Sequence, residues 1–574
     1  MTTTTSGTVK NRGCGCTKED FLPEESFQSW ENYVEAVTQT GSRLVNRVTT
    51  RSQNEIELNE VKAQTIVNEL KKPLNWWDLM LSGIGAALGA SVFVYTGIEA
   101  RLTAGPAVVL SYLISGVSAM LSVFCYIEFA VEMPIAGGSF DYLRAQLGDL
   151  VAFIAAGNII LEYVIGGAAV ARSWTSHFAV LLNRKPDDLR ILVHSLPNDY
   201  CHLDFVAVCI TMFICVLAVR NTKGSPRLNY ITSIFHVLVI VFIIVAGLTR
   251  ANVKNFSSFA PFGVSGVFKA SSVLFFSTLS EGTKKPRRDI PIGLVGSMVV
   301  TIAAYCLLAV TLCLMQPFDE IDIDAPYAVA FSAAGVDWAK YVVAAGALKG
   351  MTTVLFSGAV DQAWELTHIA RTHMIPPWFA KINEKTGTPV NATFVLLVAT
   401  SVVAFFTDLQ ILSSLVSIAT LFIVLLVAVA FLVSRYYVTE VTTSANRDKL
   451  VLCLILIFSS SIANAFYWAL DGRHWIVYSI LVPIWFSGTI GLRLFVPQAR
   501  EPKLWGVPLV PWLPSTSIAI NIFLLGSIDR MSYLRFGAWT SFLVIYYVFF
   551  GLHASYDTAQ EAEQKRENDQ VGGV

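Results

Sequence analysis

The sequence predicts an all-α protein that crosses a membrane many times. Apolar residues make up 54% of its 574 residues and charged residues only 14%, a composition that is far too apolar for a soluble protein of this size. The apolar residues occur in runs of about 20, the length that an α-helix needs to cross about 30 Å of hydrocarbon. They do not show the alternation over about ten residues that is typical of a membrane β-barrel.

About fourteen apolar runs are candidate membrane-spanning helices. An even number returns the end of the chain to the side on which it begins. Basic residues concentrate in the connections that this count places in the cytosol, in agreement with the positive-inside rule. The candidate spans lie near residues 79–99, 107–131, 150–182, 203–219, 228–248, 266–280, 291–314, 339–366, 389–406, 411–433, 450–469, 475–492, 512–528 and 533–553.

The polar ends of the chain lie outside these spans. The N-terminal region has mixed charge and no apolar core, so we expect it to stay in the cytosol, partly disordered and with short amphipathic helices. The sequence therefore divides into a cytosolic N-terminal region (1–75), a core bundle (76–440), additional C-terminal helices (441–553) and a cytosolic tail (554–574).

The first span is interrupted by glycines at 83, 85, 89 and 97. Each glycine inside a helix costs about 1 kcal/mol relative to alanine. A helix that is broken at mid-membrane exposes main-chain N–H groups and a half-helix dipole, which together can hold a substrate carboxylate. Alternatively, the glycines allow neighbouring helices to approach closely. The sequence of this span leaves both interpretations open.

The sixth span is short. It runs from Gly266 to Ser280, and its apolar part of about 14 residues is less than a spanning helix requires. It follows the glycine-rich span by five, which is where a transporter built from inverted repeats places its second broken helix. Two interrupted spans at corresponding positions favour a transporter.

Two ionisable residues and one sequon are candidate functional positions. Glu162 lies midway in the third span, where an ionisable group is a functional candidate by default, although a structural pairing is the alternative. His236 in the fifth span has a side chain suited to proton coupling, but a hydrogen-bonded packing histidine is also consistent with its position. Asn255 begins an Asn-Phe-Ser glycosylation sequon on the predicted external side.

Several motifs occur in a fixed order along the chain, and together they resemble the amino acid/polyamine/organocation superfamily. More narrowly, the sequence is similar to the plant cationic amino acid transporters from about residue 20 to residue 557. The motifs are Glu132-Met133-Pro134 with Ala136-Gly137-Gly138, Ile160 to Tyr163, Glu281 to Pro286 with Asp289-Ile290-Pro291, Ala347 to Thr352, Thr386 to Pro389, and Trp505 to Pro511.

This resemblance implies a LeuT-like core of ten helices in two inverted repeats of five, followed by four extra helices. It also implies a substrate site on the two broken helices. Gly85, Gly89, Ala90 and Ser91 would receive the substrate carboxylate on their main chain, and Phe276, Ser277 and Thr278 would supply further contacts. Glu162 would face the positive group of the substrate, and His236 matches a position linked to proton coupling in some relatives.

Two departures from the family pattern affect this expectation. Ser91 stands where a second glycine is usual, and a side chain there narrows the freedom of the backbone. The stretch from Phe276 to Glu281 is about eight residues shorter than in relatives, which corresponds to about 12 Å of helix. An amino acid sensor or binding protein that does not transport is therefore the alternative to a working transporter.

The sequence thus predicts a secondary transporter of amino acids, preferentially arginine and lysine, that works by alternating access. We expect neither an enzyme nor a metal site, because no nucleophile-and-base or metal-ligand spacing is found outside the spans. No cofactor is expected, and proton coupling is left open. The expected partners are the amino acid and the bilayer. A net charge of −1 gives no indication of nucleic-acid binding, and the oligomeric state is left open. The plasma membrane is the expected location, with the vacuolar membrane as the alternative.

Overall fold

The computed structural model is a bundle of long helices, and its few strand residues lie in one loop. It describes residues 21–49, 75–87, 91–132, 138–195, 200–220, 226–274, 286–383, 386–438, 441–470 and 474–572. The two strands are β1 (Ile191–Leu192) and β2 (His202–Leu203), which form an antiparallel pair between two helices. The predicted all-α membrane fold is confirmed.

The helices of the first half correspond to the first seven predicted spans, with additional short helices. A π-helical turn, Ala100–Ala104, continues α4. The helices are α1 (Trp30–Thr38), α2 (Thr40–Thr49), α3 (Trp76–Ala87), α4 (Ser91–Glu99), α5 (Val108–Glu132), α6 (Gly138–Leu147), α7 (Asp149–Leu181), α8 (Phe205–Arg220), α9 (Pro226–Leu248), α10 (Gly263–Val273) and α11 (Pro286–Met315).

The second half supplies the remaining seven spans. The last span runs through a π-helical turn, Tyr547–Gly551, directly into the C-terminal helix. The helices are α12 (Pro326–Ala333), α13 (Asp337–Arg371), α14 (Val390–Phe406), α15 (Leu409–Tyr436), α16 (Ser444–Ala469), α17 (Trp475–Phe495), α18 (Trp512–Leu525), α19 (Arg530–Tyr546) and α20 (Leu552–Gly572).

Each of the fourteen predicted spans contains a described helix. Within the described part of the chain, eight helical stretches are long and apolar enough to cross a membrane, and four shorter apolar helices accompany them. The first span is described as two helices, α3 and α4, and the sixth as the short helix α10. The division of the chain at residues 75, 440 and 553 stays a prediction.

Two large buried clusters hold the bundle together. The first joins both helices of the first span to α5, α7, α10, α11, α13 and the start of α15. The second joins α5, α7 and the later part of α15 to the C-terminal helices α16, α18 and α19. Because α5, α7 and α15 contribute to both clusters, these three long helices help to connect the core bundle to the C-terminal helices.

A polar contact also fixes the C-terminal helices to the core. The amide oxygen of Asn521 in α18 accepts a hydrogen bond from Ser118 Oγ of α5 at 2.9 Å, and its Nδ2 donates to Ser122 Oγ at 3.1 Å. Hydrocarbon offers no alternative partner to such groups, so they bond to one another across helix interfaces. The contact specifies how α18 sits against α5.

Close helix packing explains two of the glycines in the first span. A Cβ atom on Gly83 would lie 2.8 Å from Ser297 Oγ of α11, and one on Gly97 would lie 2.7 Å from the carbonyl oxygen of Asp322 and from the ring of Pro326. Both distances are too short for real atoms. The close-approach interpretation therefore holds at these two positions.

The described part of the N-terminal region is the N-terminal segment, residues 21–49. Its two short helices, α1 and α2, agree with the prediction. They pack on the end of the bundle, where Phe27 and Ala36 are buried. The buried ion pairs that attach this segment, described below, could not be anticipated because their partners lie far away in the sequence.

We predict that Gly97→Ala destabilises the protein by about 1–3 kcal/mol, the usual range for overpacking a filled interface. The carbonyl of Asp322 is main chain and cannot move aside as a flexible side chain would. Gly537→Ala in α19 is the matched control, because a Cβ atom there has open space around it. Thermal unfolding of the purified protein in detergent measures both, and equal melting temperatures would contradict this packing interpretation.

Candidate functional site

The first span reaches the centre of the bundle as two helices. Helix α3 ends at Ala87 and α4 begins at Ser91. Gly85 lies in the last turn of α3 and is half-buried. Gly89 and Ala90, two of the predicted main-chain ligands, lie outside the described residues. The predicted carboxylate site is therefore flanked on both sides by described helix ends.

The sixth span, like the first, is described only in part, and its described part is a short helix. Helix α10 has 11 residues and ends at Val273, so it covers about 16 Å, half of the hydrocarbon thickness. Residues 275–280 of the predicted span lie outside the described part of the chain, so the shortness of the whole span stays a prediction. Phe276, Ser277 and Thr278 lie outside the described residues, and their role stays a prediction.

Serine hydroxyls from two neighbouring helices contact main-chain carbonyl groups of α10. Ser417 Oγ of α15 lies 3.0 Å from the carbonyl oxygen of Val273, and Ser111 Oγ of α5 lies 2.8 Å from that of Val267. The last four carbonyls of any helix lack partners within the helix. Side chains that satisfy one of them allow α10 to end inside the bundle.

Glu162 contacts α15 about one helical turn from Ser417. Thr420 Oγ1 of α15 donates a hydrogen bond of 2.7 Å to Glu162 Oε1. Thr420 follows Ser417 by three residues, a rise of about 4.5 Å along α15. The same turn of α15 thus contacts both the end of α10 and the predicted substrate glutamate, which brings together two features that lie more than 100 residues apart in the sequence.

The described ends of the first span belong to the same region. Ile84 of α3, Val92 of α4, Leu274 at the end of α10 and Ile165 of α7 are all members of the first buried cluster. Ile165 is one turn beyond Glu162 on α7. The predicted convergence of the two broken spans on Glu162 is consistent with this packing.

The electrostatics of Glu162 are unusual for a buried carboxylate. Its side chain is half-buried, and within the described residues its hydrogen-bond partner is the neutral hydroxyl of Thr420. No cationic side chain of the described chain pairs with it. A carboxylate inside a membrane protein is normally paired with a cation, so Glu162 leaves room for a cation that the described residues do not supply.

His236 is placed by packing. It is 4% exposed, and its ring stands edge-on to Phe93 of α4 at 5.7 Å between centroids. Its ring also lies against Gly350 of α13, at the place where a Cβ atom on that residue would be. His236 therefore touches the second half of the first span and the eighth span, which fits a packing role. A role in proton coupling stays a prediction.

The glycosylation candidate Asn255 lies on the loop before α10. Its Nδ2 donates a hydrogen bond of 2.9 Å to the carbonyl oxygen of Leu314, at the end of α11. A glycan on Nδ2 would have to be accommodated at this contact. Glycosylation at Asn255 stays a prediction.

Glu99 of α4 is a buried carboxylate that is not among the residues predicted for the site. It is 4% exposed, and its Oε2 has no hydrogen-bond partner in the structure as described. The predicted span was drawn to end at this residue, so its depth was overlooked. The rule that ionisable residues inside a span deserve scrutiny would have found it.

Buried ion pairs lie at the end of the bundle that the positive-inside rule predicts to face away from the cytosol. Arg172 of α7 is almost completely buried, and its guanidinium pairs with Asp408 at 2.9 Å and donates to the carbonyl oxygens of His202 and Ala404. Three separate elements are therefore tied to α7 by one side chain. These contacts of Arg172 could not be predicted from local sequence patterns, because the partners are more than 200 residues apart in two of the three cases.

A second arginine in the loop extends this network. Arg190 Nη2 pairs with Asp324 at 3.1 Å, and its Nε lies 3.6 Å from Asp204. Burial would lower the pKa of Arg190, but Asp324 and Asp204 raise that pKa above its ordinary value. The loop is thereby fixed to α8 and α12.

The chain is similar to known transport proteins over nearly its whole length. It matches the family model described as "Amino acid permease" over residues 74–474 and the "C-terminus of AA_permease" over residues 505–555. Cationic amino acid transporter 1 of Arabidopsis thaliana is 63% identical over 577 residues, which cover 99% of this chain and 97% of that protein.

Two other relatives show the breadth of the similarity. Cationic amino acid transporter 8, vacuolar, of Arabidopsis thaliana is 49% identical, over 95% of this chain and 93% of that protein. The Methylthioribose transporter of Bacillus subtilis is 29% identical, over 74% of this chain and 94% of that protein. Similarity at the lower level therefore includes a relative named for a substrate other than an amino acid.

We predict that Arg172→Met destabilises the protein by about 2–3 kcal/mol. This is below the full cost of breaking a buried ion pair, because the side chain of its partner Asp408 is 32% exposed and water screens its charge. Arg184→Gln, an exposed arginine of the same loop, is the control and should be neutral. Thermal unfolding in detergent distinguishes them, and a loss of stability in both variants or in neither would refute the network.

Proposed function

Because this chain belongs to the plant cationic amino acid transporters of the amino acid/polyamine/organocation superfamily, we propose that it carries amino acids across a membrane and prefers arginine and lysine. The chain is an integral membrane protein. The preference for cationic substrates rests on the site, since one relative at 29% identity is named for another cargo.

One observation carries the proposed preference. Glu162 is a half-buried carboxylate that, within the described residues, hydrogen-bonds to Thr420 and pairs with no cation. Leaving a charge unpaired in a low-dielectric site is costly. A positively charged substrate group removes this cost when it binds, whereas a neutral substrate does not. Glu162 thus favours substrates with an amino or guanidinium group.

The other end of the substrate is assigned to main chain. We assign the carboxylate to N–H groups at the interruption of the first span, around Gly85 and from Gly89 to Ser91, and the remaining contacts to Phe276, Ser277 and Thr278. The support is the position of α3, α4 and α10, whose ends flank this region. Half-helix N-termini at mid-membrane suit anionic groups because of the helix dipole.

Alternating access is the proposed mechanism. It requires the two ends of the bundle to open in turn. At the predicted outer end Arg172 pairs with Asp408, and at the predicted inner end Arg435 pairs with Glu128 at 2.8 Å. Both pairs join different spans, so each end of the bundle has a buried contact between spans.

The membrane potential provides the proposed driving force. An inward-negative potential favours the uptake of one positive charge by about 2.3 kcal/mol per 100 mV. No cofactor is needed for this. Proton coupling through His236 is a further possibility that measurements of uptake against external pH would test.

The orientation follows from the contact between the two ends of the chain. The N–H of Ser26 donates to Asp557 Oδ2 at 2.8 Å, so the N-terminal segment and helix α20 lie on the same side of the bundle. We assign this side to the cytosol from the distribution of basic residues. The plasma membrane is the proposed location, and the relative named as vacuolar keeps the vacuolar membrane as the alternative.

An amino acid sensor that binds without transport is the second candidate function. It is favoured by the sequence departures at Ser91 and between Phe276 and Glu281. Uptake of labelled arginine into vesicles that contain the purified protein, measured beside equilibrium binding of arginine, separates the two. We expect uptake that exceeds the bound amount within minutes. Binding without uptake would establish the sensor instead.

We predict that Glu162→Gln raises the KM for arginine and lysine about tenfold and leaves the KM for a neutral amino acid nearly unchanged. A hydrogen-bonded contact to a charged group is worth about 1.5–3 kcal/mol, and 1.4 kcal/mol corresponds to a factor of ten. Glu320→Gln, in the loop after α11, is the control. The KM of each variant is measured from uptake at a series of substrate concentrations. Equal losses for both classes of substrate would count against the assignment of Glu162.

A further inference from the structure

The helix that carries Glu162 is held at its inner end by the N-terminal segment. Asp149 is the first residue of α7 and is fully buried. Its Oδ2 accepts from Arg47 Nε at 2.8 Å and lies 2.6 Å from Arg47 Nη2, and its Oδ1 accepts from Arg144 Nε at 2.9 Å. Both oxygens of this carboxylate are therefore occupied by guanidinium groups that come from two other elements, α2 and α6.

The N-terminal segment is itself anchored on two other parts of the bundle. Asp557 of α20 accepts a hydrogen bond from the N–H of Ser26 and pairs with Arg43 at 3.1 Å. Glu24 lies 2.6 Å from His373, just beyond the end of α13. The segment thus connects the start of α7 to the ends of α13 and α20, and Arg47 is the residue that makes the connection to α7.

The geometry of α7 relates this connection to Glu162. The helix is continuous over 33 residues, and Glu162 follows Asp149 by 13 residues, which is about 20 Å along the axis. A rotation or shift at one end of a rigid helix is transmitted along its whole length. The hydrogen bond between Glu162 and Thr420 of α15 therefore depends on where the start of α7 is held.

We propose that Arg47 is a positioning residue for substrate selection: by holding Asp149, the N-terminal segment fixes the rotation and depth of α7 and so places the Glu162 carboxylate against α15. This inference rests on the proposed role of Glu162. It assigns to a segment outside the membrane spans a part in selecting cationic substrates.

The burial of this contact indicates that it stays closed during transport. Arg47 is 2% exposed and Asp149 is fully buried. Opening would leave charges unpaired in a buried place, and removing one partner of such a pair is strongly unfavourable. The segment acts as a permanent brace on α7 in this proposal.

The decisive experiment compares Arg47→Gln, Arg47→Lys and the control Arg447→Gln in the full-length protein. Arg447 is an exposed arginine at the start of α16. Uptake gives the ratio of the KM for arginine to the KM for a neutral amino acid. We expect Arg47→Gln to raise this ratio about threefold or more, Arg47→Lys to restore most of it because the charge remains, and the control to leave it unchanged. A lower Vmax with an unchanged ratio would mean that Arg47 only supports folding, and would overturn the proposal.

A double variant tests whether Arg47 acts through Glu162. If it does, Arg47→Gln adds no further change of the ratio in a Glu162→Gln background. A full additional effect would overturn the proposal. Should Arg47→Gln fail to fold, Asp557→Asn loosens the same segment at its other anchor and should shift the ratio in the same direction.

Hydrogen exchange separates a failure of this inference from a failure of the proposed function. We expect faster exchange of the main-chain amides of residues 149–162 in Arg47→Gln than in the control, whatever the substrate. Unchanged exchange would refute the positioning role. A Glu162→Gln variant with an unaltered KM ratio would instead refute the proposed function, while the exchange result would still decide whether Arg47 holds α7.

Discussion

One turn of α15 holds the centre of this protein together. The hydroxyl of Ser417 lies against the last carbonyl of α10, and the hydroxyl of Thr420 donates to Glu162. Inside a membrane, water is not available to satisfy a helix end or a carboxylate, so both must find partners in the protein. Because two hydroxyls three residues apart meet these needs, the short sixth span and the third span are brought to the same place. The candidate substrate site depends on this convergence.

Buried charges at the two ends of the bundle also find their partners within the protein. Arg172 joins α7 to the start of α15, and Arg47 joins the other end of α7 to the N-terminal segment. Each guanidinium is almost fully buried and each has a carboxylate partner, as the cost of burying charge requires. Helix α7 is therefore fixed at both ends by ion pairs, with Glu162 between them. Within the described residues Glu162 has no cationic partner, and its carboxylate stays the candidate contact for the substrate.

Much of the architecture could be predicted because each membrane-spanning helix is specified by the residues of one continuous stretch of sequence. The positions of the spans follow from hydropathy and length. The interruption of the first span and the shortness of the sixth fall on residues 88–90 and 275–280, outside the described part of the chain, and stay predictions. Glu162 was found because an acidic residue in an apolar run is conspicuous. Glu99 escaped because it lies at the edge of such a run, and the role of Gly83 and Gly97 in close packing needed the neighbouring atoms of Ser297 and Asp322.

The sequence by itself determined the class of protein, the membrane spans and the candidate carboxylate, because each of these depends on the residues of one short stretch and on the thickness of the membrane. Only the tertiary structure decided what Glu162 contacts, which ion pairs hold α7, and that the N-terminal segment binds next to α20. These contacts join residues that are from about 100 to more than 500 positions apart. A hydrogen bond or ion pair forms wherever folding places a donor beside an acceptor, and local patterns contain no record of that placement.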